Sequence, residues 1–512
     1  MKLFTTRQIA GIDRYTIERE PISDVDLMER AAEKIFYKMI SLVSHPQRMT
    51  FLAGPGNNGG DALAVARMFA KDDYPCKVCL LDTGKSLSGA AEINFRRLQE
   101  QGKAVISHIS SVSDFPELTP GTVVVDGLYG SGLTRPLEGL AAGLIGHVNR
   151  ADCRVISIDM PSGLMGEDNS GNIPEHIVRA QDTITLQFPK ISLLFPENDR
   201  YAGKIHVVNI QLHPEAIAVT ETPYHLTEMK IIPECLPPRQ RYAHKGDFGH
   251  ALLISGSYGK IGAAVLAAGA CMRTGAGLLT AFLPSCGYEI MQSVNPEVMC
   301  LTDENRGIIT GIPDLEKYTA VAAGPGLGTD RATQGAVRQL LDQIVVPLVL
   351  DADALNILSL NPDLLDDLPR NTILTPHPGE FRRLFGETPD SWTRLELQRR
   401  KSSDHQIIIV LKGAHTTVSL PDGSVWFNPT GNPGMATGGS GDVLTGMLLG
   451  LLSQGIPPDK AAMAAVYIHG MAGDQAAWLF SEHSLIASDI TRQLPTILRQ
   501  IYKTAEPEKG YF

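Results

Sequence analysis

The chain has 512 residues, of which 43% are hydrophobic and 20% charged, with a net charge of -11 and a pI near 5.7. This composition is typical of a folded globular protein, and the length exceeds one ordinary hydrophobic core, so two or more domains are expected. The acidic balance disfavours nucleic acids and anionic membranes as partners, and no apolar run is long enough to span a bilayer.

Cysteine usage and the start of the chain bear on the compartment. Seven cysteines are too few for a disulfide scaffold in a chain of this length. Cys76 and Cys79 form one CxxC in a strand-like run, and a single pair cannot supply the four ligands of a structural zinc site. Residues 1–8 lack the apolar stretch of a signal peptide. We therefore expect a reduced, cytoplasmic protein.

Residues 1–215 alternate β-like and helical runs. An amphipathic helix comes first, with apolar side chains at helical spacing at Leu27, Met28, Ala31, Ala32, Ile35, Phe36 and Met39. Candidate strands follow at 49–53, 76–81, 122–126, 154–159, 183–188 and 204–210, with helices notably at 62–70 and 90–101. The alternation indicates a mostly parallel sheet covered by helices, so we predict an N-terminal, Rossmann-like three-layer α/β/α domain.

Three of these strands end in loops that are suited to ligands. The loops are residues 54–61, 127–135 and 160–163. Ligands of open parallel sheets lie beyond the carboxyl ends of the strands, so Asn58, Asp126, Asp159 and Ser162 are expected on one rim. Their hard oxygen atoms suit an alkali or alkaline-earth ion, and Arg135 suits phosphate. Turns also select Gly, Asn and Asp, so any one loop taken alone has a purely structural explanation.

Prolines interrupt residues 211–243 and no apolar period persists there, so we assign 216–243 as a connector. Residues 244–506 form the second predicted domain. Its candidate strands are 251–255, 278–283, 320–323, 348–350, 372–374 and 407–411, followed by a hairpin of 415–420 and 424–427. This segment too is predicted to be an α/β domain.

Polar and glycine-rich loops follow several strands of the second segment. They include residues 256–264, 324–328, 351–354, 375–380 and 412–416. Asp351 and Asp353 are candidates for holding a metal-bound water. His377 lies between two prolines and is a candidate for substrate contact, although a lone histidine is more often a plain surface residue.

Residues 434–442 form a glycine-rich stretch that leads directly into a long apolar helix. A helix start carries unpaired N–H groups and partial positive charge, and glycine lets the backbone approach a polyphosphate closely. Phosphate would repel Asp442, so we expect this carboxylate to take a proton from a hydroxyl that is about to be phosphorylated. The alternative is a glycine-rich turn in which the Asp442 carboxylate only stabilises the start of the helix, as a capping residue does.

These motifs resemble known families. The second segment resembles the ribokinase-like superfamily, and more closely the ADP-dependent NAD(P)H-hydrate dehydratases, through residues 244–249, 256–264, 324–328, 375–380, 412–416 and 438–442. The first segment resembles NAD(P)H-hydrate epimerases through residues 54–61, 126–135 and 159–163. Their order on one chain is similar to that in bifunctional bacterial enzymes that repair hydrated nicotinamide nucleotides. One departure is Ala62, where the family loop usually has glycine; we expect only a slightly tighter loop unless that position needs a positive φ.

The resemblance implies an activity and a set of site residues. The substrates would be NADH and NADPH hydrated at C6, called NADHX and NADPHX; one domain would interconvert the R and S hydrates, and the other would dehydrate the S form with ADP, releasing AMP and phosphate. In the first domain it implies potassium at Asn58, Asp126 and Ser162, with Asp159 as the proton-transfer group. The implied hydrate-binding positions there are Asn57, Asn58, Gly59, Gly60, Asp61, Gly130, Ser131, Gly132, Leu133, Thr134, Arg135, Pro136 and Asp159.

In the second domain the resemblance implies that Asp442 is the catalytic base. The hydrate would lie against Ala263, Gly326, His377 and Asp442, and the adenylate against Lys412, Gly413, Ala414, His415, Thr416 and Gly441. Magnesium is expected, because a diphosphate donor needs its charge neutralised. We expect a homo-oligomer that uses small-molecule substrates.

Two other hypotheses fit parts of the sequence. A kinase for a small alcohol would use the same anion hole and Asp442, but it would have no need of the first segment. A nucleotide-binding sensor or scaffold would tolerate the loss of Asp442 and Asp159, and the presence of both after suitable strands argues weakly against it.

Overall fold

A computed structural model describes residues 1–84 and 86–505 of the chain. The chain forms two compact units, one of Lys2–Thr222 with Pro389–Trp392, and one of Pro223–Thr388 with the residues from Thr393 onward and Met1. The expected end of the second domain, residue 506, lies outside the described residues. Within the described part of the chain, no helix combines the length and apolar character that crossing a bilayer requires.

The first unit is built on a seven-stranded sheet in which all neighbouring strands are parallel, in the order β3-β2-β1-β4-β5-β6-β7. The strands are β1 (Met49–Ala53), β2 (Cys76–Leu81), β3 (Val105–Ile109), β4 (Val123–Gly127), β5 (Arg154–Ile158), β6 (Asp182–Leu186) and β7 (Lys204–Val208). The helices are α1 (Thr6–Arg19), α2 (Asp24–Ile40), α3 (Asn57–Lys71), α4 (Gly89–Gln101), α5 (Gly139–Arg150), α6 (Asp199–Ala202) and α7 (Pro214–Val219).

Helices cover both faces of this sheet. Successive residues of a strand point to opposite sides, so apolar side chains of one strand can pack against both layers of helices. Phe51 packs with α2 and α3 in one apolar cluster, whereas its neighbour Leu52 packs with α5 in another. This arrangement explains the nearly continuous apolar runs of the central strands. The predicted Rossmann-like three-layer domain is confirmed.

The second unit carries a ten-stranded sheet in the order β11-β10-β9-β12-β13-β14-β15-β16-β17-β8. The strands are β8 (Tyr224–Leu226), β9 (His250–Ile254), β10 (Leu278–Pro284), β11 (Met299–Asp303), β12 (Ala320–Ala323), β13 (Leu348–Leu350), β14 (Ile373–Leu374), β15 (Ile408–Leu411), β16 (Thr417–Ser419) and β17 (Val425–Phe427). The pairs of β16 with β15 and with β17 are antiparallel, which places the predicted hairpin between the parallel strand β15 and the edge strand β8.

Helices cover both faces of the second sheet as well. They are α8 (Ile232–Cys235), α9 (Ile261–Thr274), α10 (Tyr288–Val294), α11 (Arg331–Gln343), α12 (Asp353–Leu360), α13 (Pro378–Phe385), α14 (Ser391–Asp404), α15 (Ser440–Ser453), α16 (Pro458–Phe480) and α17 (Ala487–Ala505). Leu253 of β9 packs with α9 and α15 on one face, and Leu252 packs with α11 and α12 on the other. The predicted second α/β domain is confirmed.

The segment assigned as a connector, 216–243, contains regular structure. It includes β8, which pairs with β17, and α8. Ile232, Cys235 and Leu236 are buried in the apolar core of the second unit. The prolines that suggested a linker therefore lie in and around short elements that contribute to the second domain.

Candidate functional site

In the first domain, Asp126 and Ser162 form a buried polar network beyond β4 and β5. The Asp126 carboxylate accepts hydrogen bonds from the Ser157 hydroxyl at 2.8 Å and from the Ser162 N–H at 2.8 Å and hydroxyl at 2.5 Å. Burial raises the pKa of Asp126, and the hydrogen bonds from Ser162 and Ser157 oppose that shift. The strand ends are thus joined by a single carboxylate that is 0% exposed.

Asn58, in the first turn of α3, brings an unsatisfied amide to the same rim. Its side-chain nitrogen and oxygen are both buried and have no hydrogen-bond partner among the described residues. A Cβ placed on Gly130 would lie 3.1 Å from the amide carbon of Asn58 and 3.2 Å from Oδ2 of Asp159. Gly130 therefore leaves open a small space between these two side chains, where a ligand could satisfy the amide.

Asp159 stands directly after β5 with a φ of 65°, a conformation that non-glycine residues rarely adopt. Its Oδ2 accepts a hydrogen bond from the Ser131 N–H at 3.1 Å, and its Oδ1 accepts one from Lys190. Burial alone would raise the pKa of Asp159, but the Lys190 ammonium and the Ser131 hydrogen bond hold it below its ordinary value. An unusual backbone conformation thus aims an ionised carboxylate into the cleft.

Two further side chains of this cluster were not predicted, Lys190 and Asp13. Lys190 follows β6, the next strand along the sheet, so its position after a strand end was the available signal. Asp13 lies on α1, and nothing in the helical pattern marks it. Burial raises the pKa of Asp13 to about 6, with Lys190 lowering it and Asp159 raising it.

The loop predicted at 54–61 is shorter in the structure, because α3 already begins at Asn57. Asn57, Asn58, Gly59, Gly60 and Asp61 thus form the first turns of a helix instead of an irregular loop. The substitution Ala62 also lies inside α3 and has no positive φ, which agrees with the expected mild effect. A helix start at this rim places N–H groups towards a ligand.

The last residues of the loop that follows β4, residues 132–136, are exposed or half-buried. Gly132, Thr134 and Arg135 are exposed, whereas Leu133 and Pro136 are half-buried. Neither Thr134 nor Arg135 has a side-chain hydrogen bond to a described residue. The structure therefore brings together Asn58, Gly130, Ser131 and Asp159, with Asp126 and Ser162 beneath them, and leaves Arg135 at the periphery.

In the second domain, Lys412 after β15 and Asp351 after β13 form an ion pair at the carboxyl ends of the strands. The Lys412 ammonium lies 2.9 Å from Oδ1 of Asp351 and 3.9 Å from Oε2 of Glu380. The Thr445 hydroxyl donates to Oδ2 of Asp351 at 2.7 Å. Both oxygens of Asp351 are thus engaged by protein groups, which differs from the expectation that Asp351 could hold a metal-bound water.

The glycine-rich stretch ends at the start of α15, beside this ion pair. Gly439 caps the helix with a φ of 91°, and a Cβ there would lie 2.4 Å from Leu266, so glycine is required. A Cβ on Gly441 would lie 3.2 Å from the Lys412 ammonium. The N–H groups of Gly441 and Asp442 donate to no described residue, so two unpaired donors and a cation face the same space.

Asp442 is half-buried and accepts no hydrogen bond from any described residue. Burial and repulsion from Asp351 raise its pKa to about 6, and Lys412 partly opposes the shift. Such a carboxylate is a stronger base than an exposed one and still ionised at neutral pH. This geometry suits proton removal beside an anion site.

Of the four residues expected to contact the hydrate in the second domain, Asp442 lies at the start of α15, and the other three divide into two places. Gly326 and Ala263 lie together, since a Cβ on Gly326 would approach the Ala263 methyl group to 3.1 Å. His377 caps α13, where its Nδ1 accepts hydrogen bonds from the N–H groups of Gly379 at 3.0 Å and Glu380 at 3.4 Å. With Nδ1 accepting, the ring carries a proton on Nε2, and this atom lies 3.5 Å from Oε1 of Glu380.

The loop after β15 forms a compact turn. The Thr416 hydroxyl donates to the Gly413 carbonyl at 3.0 Å and accepts from its N–H at 3.2 Å. Gly413 and Ala414 at the tip are exposed, and a ring nitrogen of His415 lies 3.3 Å from the carbonyl oxygen of Asn428. The exposed tip suits a flat group such as an adenine ring, with Lys412 on its inner side.

Comparison with known proteins agrees with this architecture. The protein family described as NAD(P)H-hydrate dehydratase matches residues 251–496, and the family described as YjeF-related protein N-terminus matches residues 24–192. A ribokinase-like superfamily protein from Enterococcus faecalis, known from its crystal structure, aligns with a TM-score of 0.50 and 29% identity, over 55% of this chain and 98% of that protein. The ribokinase-like fold predicted for the second domain is confirmed.

Two relatives match over nearly the whole chain. The bifunctional NAD(P)H-hydrate repair enzyme Nnr of Moorella thermoacetica is 35% identical, over 99% of this chain and 98% of its own length. The enzyme of the same name from Coxiella burnetii is 35% identical, over 97% of this chain and 99% of its own length. Because both halves and their order are shared, this chain belongs to the family of bifunctional NAD(P)H-hydrate repair enzymes.

Proposed function

We propose that the first domain interconverts the R and S hydrates of NADH and NADPH, and that the second dehydrates the S hydrate with ADP as co-substrate. A nicotinamide hydrated at C6 cannot donate hydride, so the two reactions together restore the reduced coenzyme. The observation that carries the proposal is the start of α15, where unpaired N–H groups, the Lys412 ammonium and the free carboxylate of Asp442 face one space. Under this proposal residues 1–215 and 244–506 remain our assignments of the two catalytic domains.

The dehydration needs a better leaving group than hydroxide, and phosphate is one. Asp442 accepts the proton of the C6 hydroxyl as that oxygen takes the terminal phosphoryl group of ADP. The N–H groups at Gly441 and Asp442 and the Lys412 ammonium stabilise the charge on the phosphoryl group during transfer. The ring nitrogen then supplies the electron pair that expels phosphate from C6, which leaves an iminium ion. Loss of a proton from C5, which the departing phosphate can accept, forms the C5=C6 bond and restores the dihydropyridine, with AMP and phosphate as the other products.

Binding in the second domain follows the shape of the rim. The hydrate lies against Ala263, Gly326 and His377, and the adenylate lies against Gly441 and the turn formed by Lys412, Gly413, Ala414, His415 and Thr416. Within the described residues no cluster of three or more His, Cys, Asp or Glu side chains could hold a metal ion. This fits a magnesium ion that takes most of its oxygen ligands from the diphosphate and water, where it would supply charge neutralisation.

In the first domain, Asp159 is the proton-transfer group and the surrounding loops hold the hydrate. Asn57, Asn58, Gly59, Gly60 and Asp61 on α3 and the residues from Gly130 to Pro136 form the walls of this site. Asn58, Asp126 and Ser162 would hold potassium, and the unpartnered amide of Asn58 supports that assignment. The ion would supply a positive charge for the phosphates of the substrate.

The decisive experiment mixes the purified protein with racemic NADH hydrate and follows the absorbance of restored NADH, with and without ADP. We expect complete recovery with ADP and none without it. Asp159→Ala should leave the S hydrate repairable and make the R hydrate dependent on slow spontaneous conversion. Equal consumption of both hydrates by this variant would show that the epimerase site lies elsewhere.

A kinase for a small alcohol is the competing function of the second domain. Such an enzyme would leave a phosphorylated product that persists, whereas dehydration releases inorganic phosphate in step with restored NADH. Measuring both quantities in the same reaction separates the two functions. Cytoplasmic location and homo-oligomer formation stay predictions.

A further inference from the structure

Four charged side chains converge in the first domain from four separate elements. Asp13 comes from α1, Asp61 from α3, Asp159 from the end of β5, and Lys190 from the residues after β6. Only Asp159 has so far been given a chemical role here, as a proton-transfer group. Three carboxyl groups thus share a single ammonium in a largely buried cleft.

The hydrogen bonds of Lys190 commit it to one carboxylate. Lys190 is 1% exposed and donates to the carboxylate of Asp159, to the Thr185 hydroxyl at 3.0 Å and to the Leu186 carbonyl at 3.2 Å. An ammonium has three N–H bonds, so its donors are all used. Lys190 therefore neutralises Asp159, and its charge is only partly available to the other two carboxyl groups.

Asp61 is in the opposite situation. It is 7% exposed, and no described residue donates a hydrogen bond to it. It lies three and four residues after Asn58 and Asn57, so it shares their face of α3, where the Asn58 amide approaches Gly130 and Asp159. The charged groups that act on Asp61 are Asp159, Asp13 and Lys190.

Interconversion of the hydrates requires both a base and an acid. In the hydrate, C6 carries a hydroxyl group and is bonded to the ring nitrogen, so it can open as a carbinolamine does. A base takes the hydroxyl proton, the O–H electron pair forms the C6=O bond, and the C6–N bond breaks with its electron pair passing to nitrogen, which takes a proton from an acid. Rotation about the C5–C6 bond and reversal of these steps give the other hydrate without any oxidant or reductant.

We propose that Asp61 donates the proton to the ring nitrogen while Asp159 takes the hydroxyl proton, and that Lys190 is a positioning residue that keeps Asp159 ionised. This inference rests on the epimerase function proposed above for the first domain. It adds to the substrate-binding position of Asp61 a role in the reaction, and it explains why a lysine is buried beside Asp159.

The electrostatics of the cluster agree with opposite protonation states. Burial first, and then repulsion from Asp159 and Asp13, raise the pKa of Asp61 well above its ordinary value. The pKa of Asp159 lies below its ordinary value despite burial, because Lys190 stabilises the carboxylate. Two carboxyl groups whose pKa values are pushed apart are suited to act as acid and base in one site.

The test uses the full chain without ADP and follows conversion of purified R hydrate of NADH into the S hydrate by chromatography. Asp61→Asn should lower the conversion rate by about 10²- to 10⁴-fold, the usual contribution of a general acid, with a smaller change in KM. Dehydration of the S hydrate with ADP by the same variant should be unchanged. Asp13→Asn removes a carboxylate whose repulsion helps to keep Asp61 protonated, so it should lower the rate far less than Asp61→Asn and move the alkaline fall to lower pH. Asp72→Asn, at the exposed C-cap of α3, is the matched control and should leave the rate unchanged.

The pH profile separates the catalytic roles from structural ones. The wild-type rate should fall on the alkaline side as Asp61 loses its proton; Asp61→Glu should keep that fall and Asp61→Asn should lose it. Lys190→Met should move the acidic fall to higher pH, because Asp159 then loses its ammonium partner.

Failure of the role of Asp61 and failure of the epimerase function would give different results. Normal conversion by Asp61→Asn, or a loss in Asp13→Asn equal to that in Asp61→Asn, would overturn the role of Asp61. Wild-type protein that does not convert the R hydrate at all would instead remove the epimerase function.

Discussion

At the residue scale, the candidate site of the second domain combines side chains of opposite charge. Lys412 is paired with Asp351, which is 1% exposed and also held by Thr445. Asp442, one helical turn before Thr445, accepts no hydrogen bond from the part of the chain that the structure describes. Asp351 thus fixes the cation, and the repulsion it exerts on Asp442 makes that carboxylate more basic.

Replacing Asp442 tests the assigned base directly. Asp442→Asn keeps the size of the side chain but cannot accept the hydroxyl proton, so dehydration of the S hydrate should fall by at least about 10²-fold. ADP should still bind, because the N–H groups and Lys412 are untouched. Turnover measured by NADH absorbance and ADP binding measured by calorimetry check both statements, and retained turnover would remove the role.

The raised pKa of Asp442 predicts the pH dependence of dehydration. The carboxylate must be ionised to act as a base, so the rate should fall as the pH drops through about 6 and stay level above it. Asp353→Asn removes a charge that raises this pKa, so the acidic fall should move to lower pH. Rate profiles of both proteins with saturating ADP give the comparison, and coincident profiles would contradict the electrostatic explanation.

At the element scale, the helix that carries Asp442 is held very close to a neighbour. A Cβ on Gly446 of α15 would lie 2.0 Å from the backbone oxygen of Ala267 in α9. This contact leaves no room for a side chain, and the Ala267 oxygen belongs to the backbone, which cannot rotate away. The position of the anion site therefore depends on two helices whose backbones nearly touch.

Gly446→Ala should destabilise the protein by about 1–3 kcal/mol, because the added methyl group forces the two helices apart. Gly335→Ala in α11 is the matched control, since nothing lies within 4 Å of its Cβ position. Alanine is the better helix former there, so the control should be neutral or more stable by up to about 1 kcal/mol. Urea unfolding measures the free energy of unfolding of both variants. Equal stability of the two variants would contradict the packing explanation.

The sequence predicted the central strands well and the edge strands poorly. β1, β2, β12 and β13 were predicted with the same bounds that the structure gives them, because buried parallel strands are almost wholly apolar. β3 and β11 were missed, since each is an edge strand with several exposed residues and therefore lacks a strong apolar run.

The same reasoning explains which site residues could be predicted. Asn58, Asp126, Asp159 and Lys412 follow or lie at strand ends, where topology alone brings side chains to one rim. Asp13 reaches its site from a helix, α1, and nothing local in the sequence marks its neighbours. The ion pair of Lys412 with Asp351 joins residues that lie 61 positions apart, so only the fold reveals it.

At the scale of the whole molecule, the two reactions belong to separate compact units. The chain divides between Thr222 and Pro223, and Pro389–Trp392 groups with the first unit. Each unit has its own sheet, its own apolar clusters and its own site. The candidate residues for each reaction therefore lie within a single unit.

Dividing the chain tests this independence. Residues 1–222 should interconvert the hydrates, and residues 223–512 should dehydrate the S hydrate with ADP. A shorter fragment, 244–512, loses β8 and the buried side chains of Ile232 and Cys235, so it should be less stable or aggregate. Enzyme activity and thermal melting of the three fragments test this boundary. An inactive 223–512 fragment together with an active 244–512 fragment would contradict a domain boundary between Thr222 and Pro223.

The pairing of β8 with β17 also sets an order of events during synthesis. Tyr224 of β8 pairs with Val425 of β17, so the second sheet cannot complete this edge until about 200 further residues have been made. All strands of the first domain precede β8 in the chain, so each can pair with its neighbours before β17 is synthesised. The epimerase half should accordingly be folded while the nascent dehydratase half still waits for its last strand.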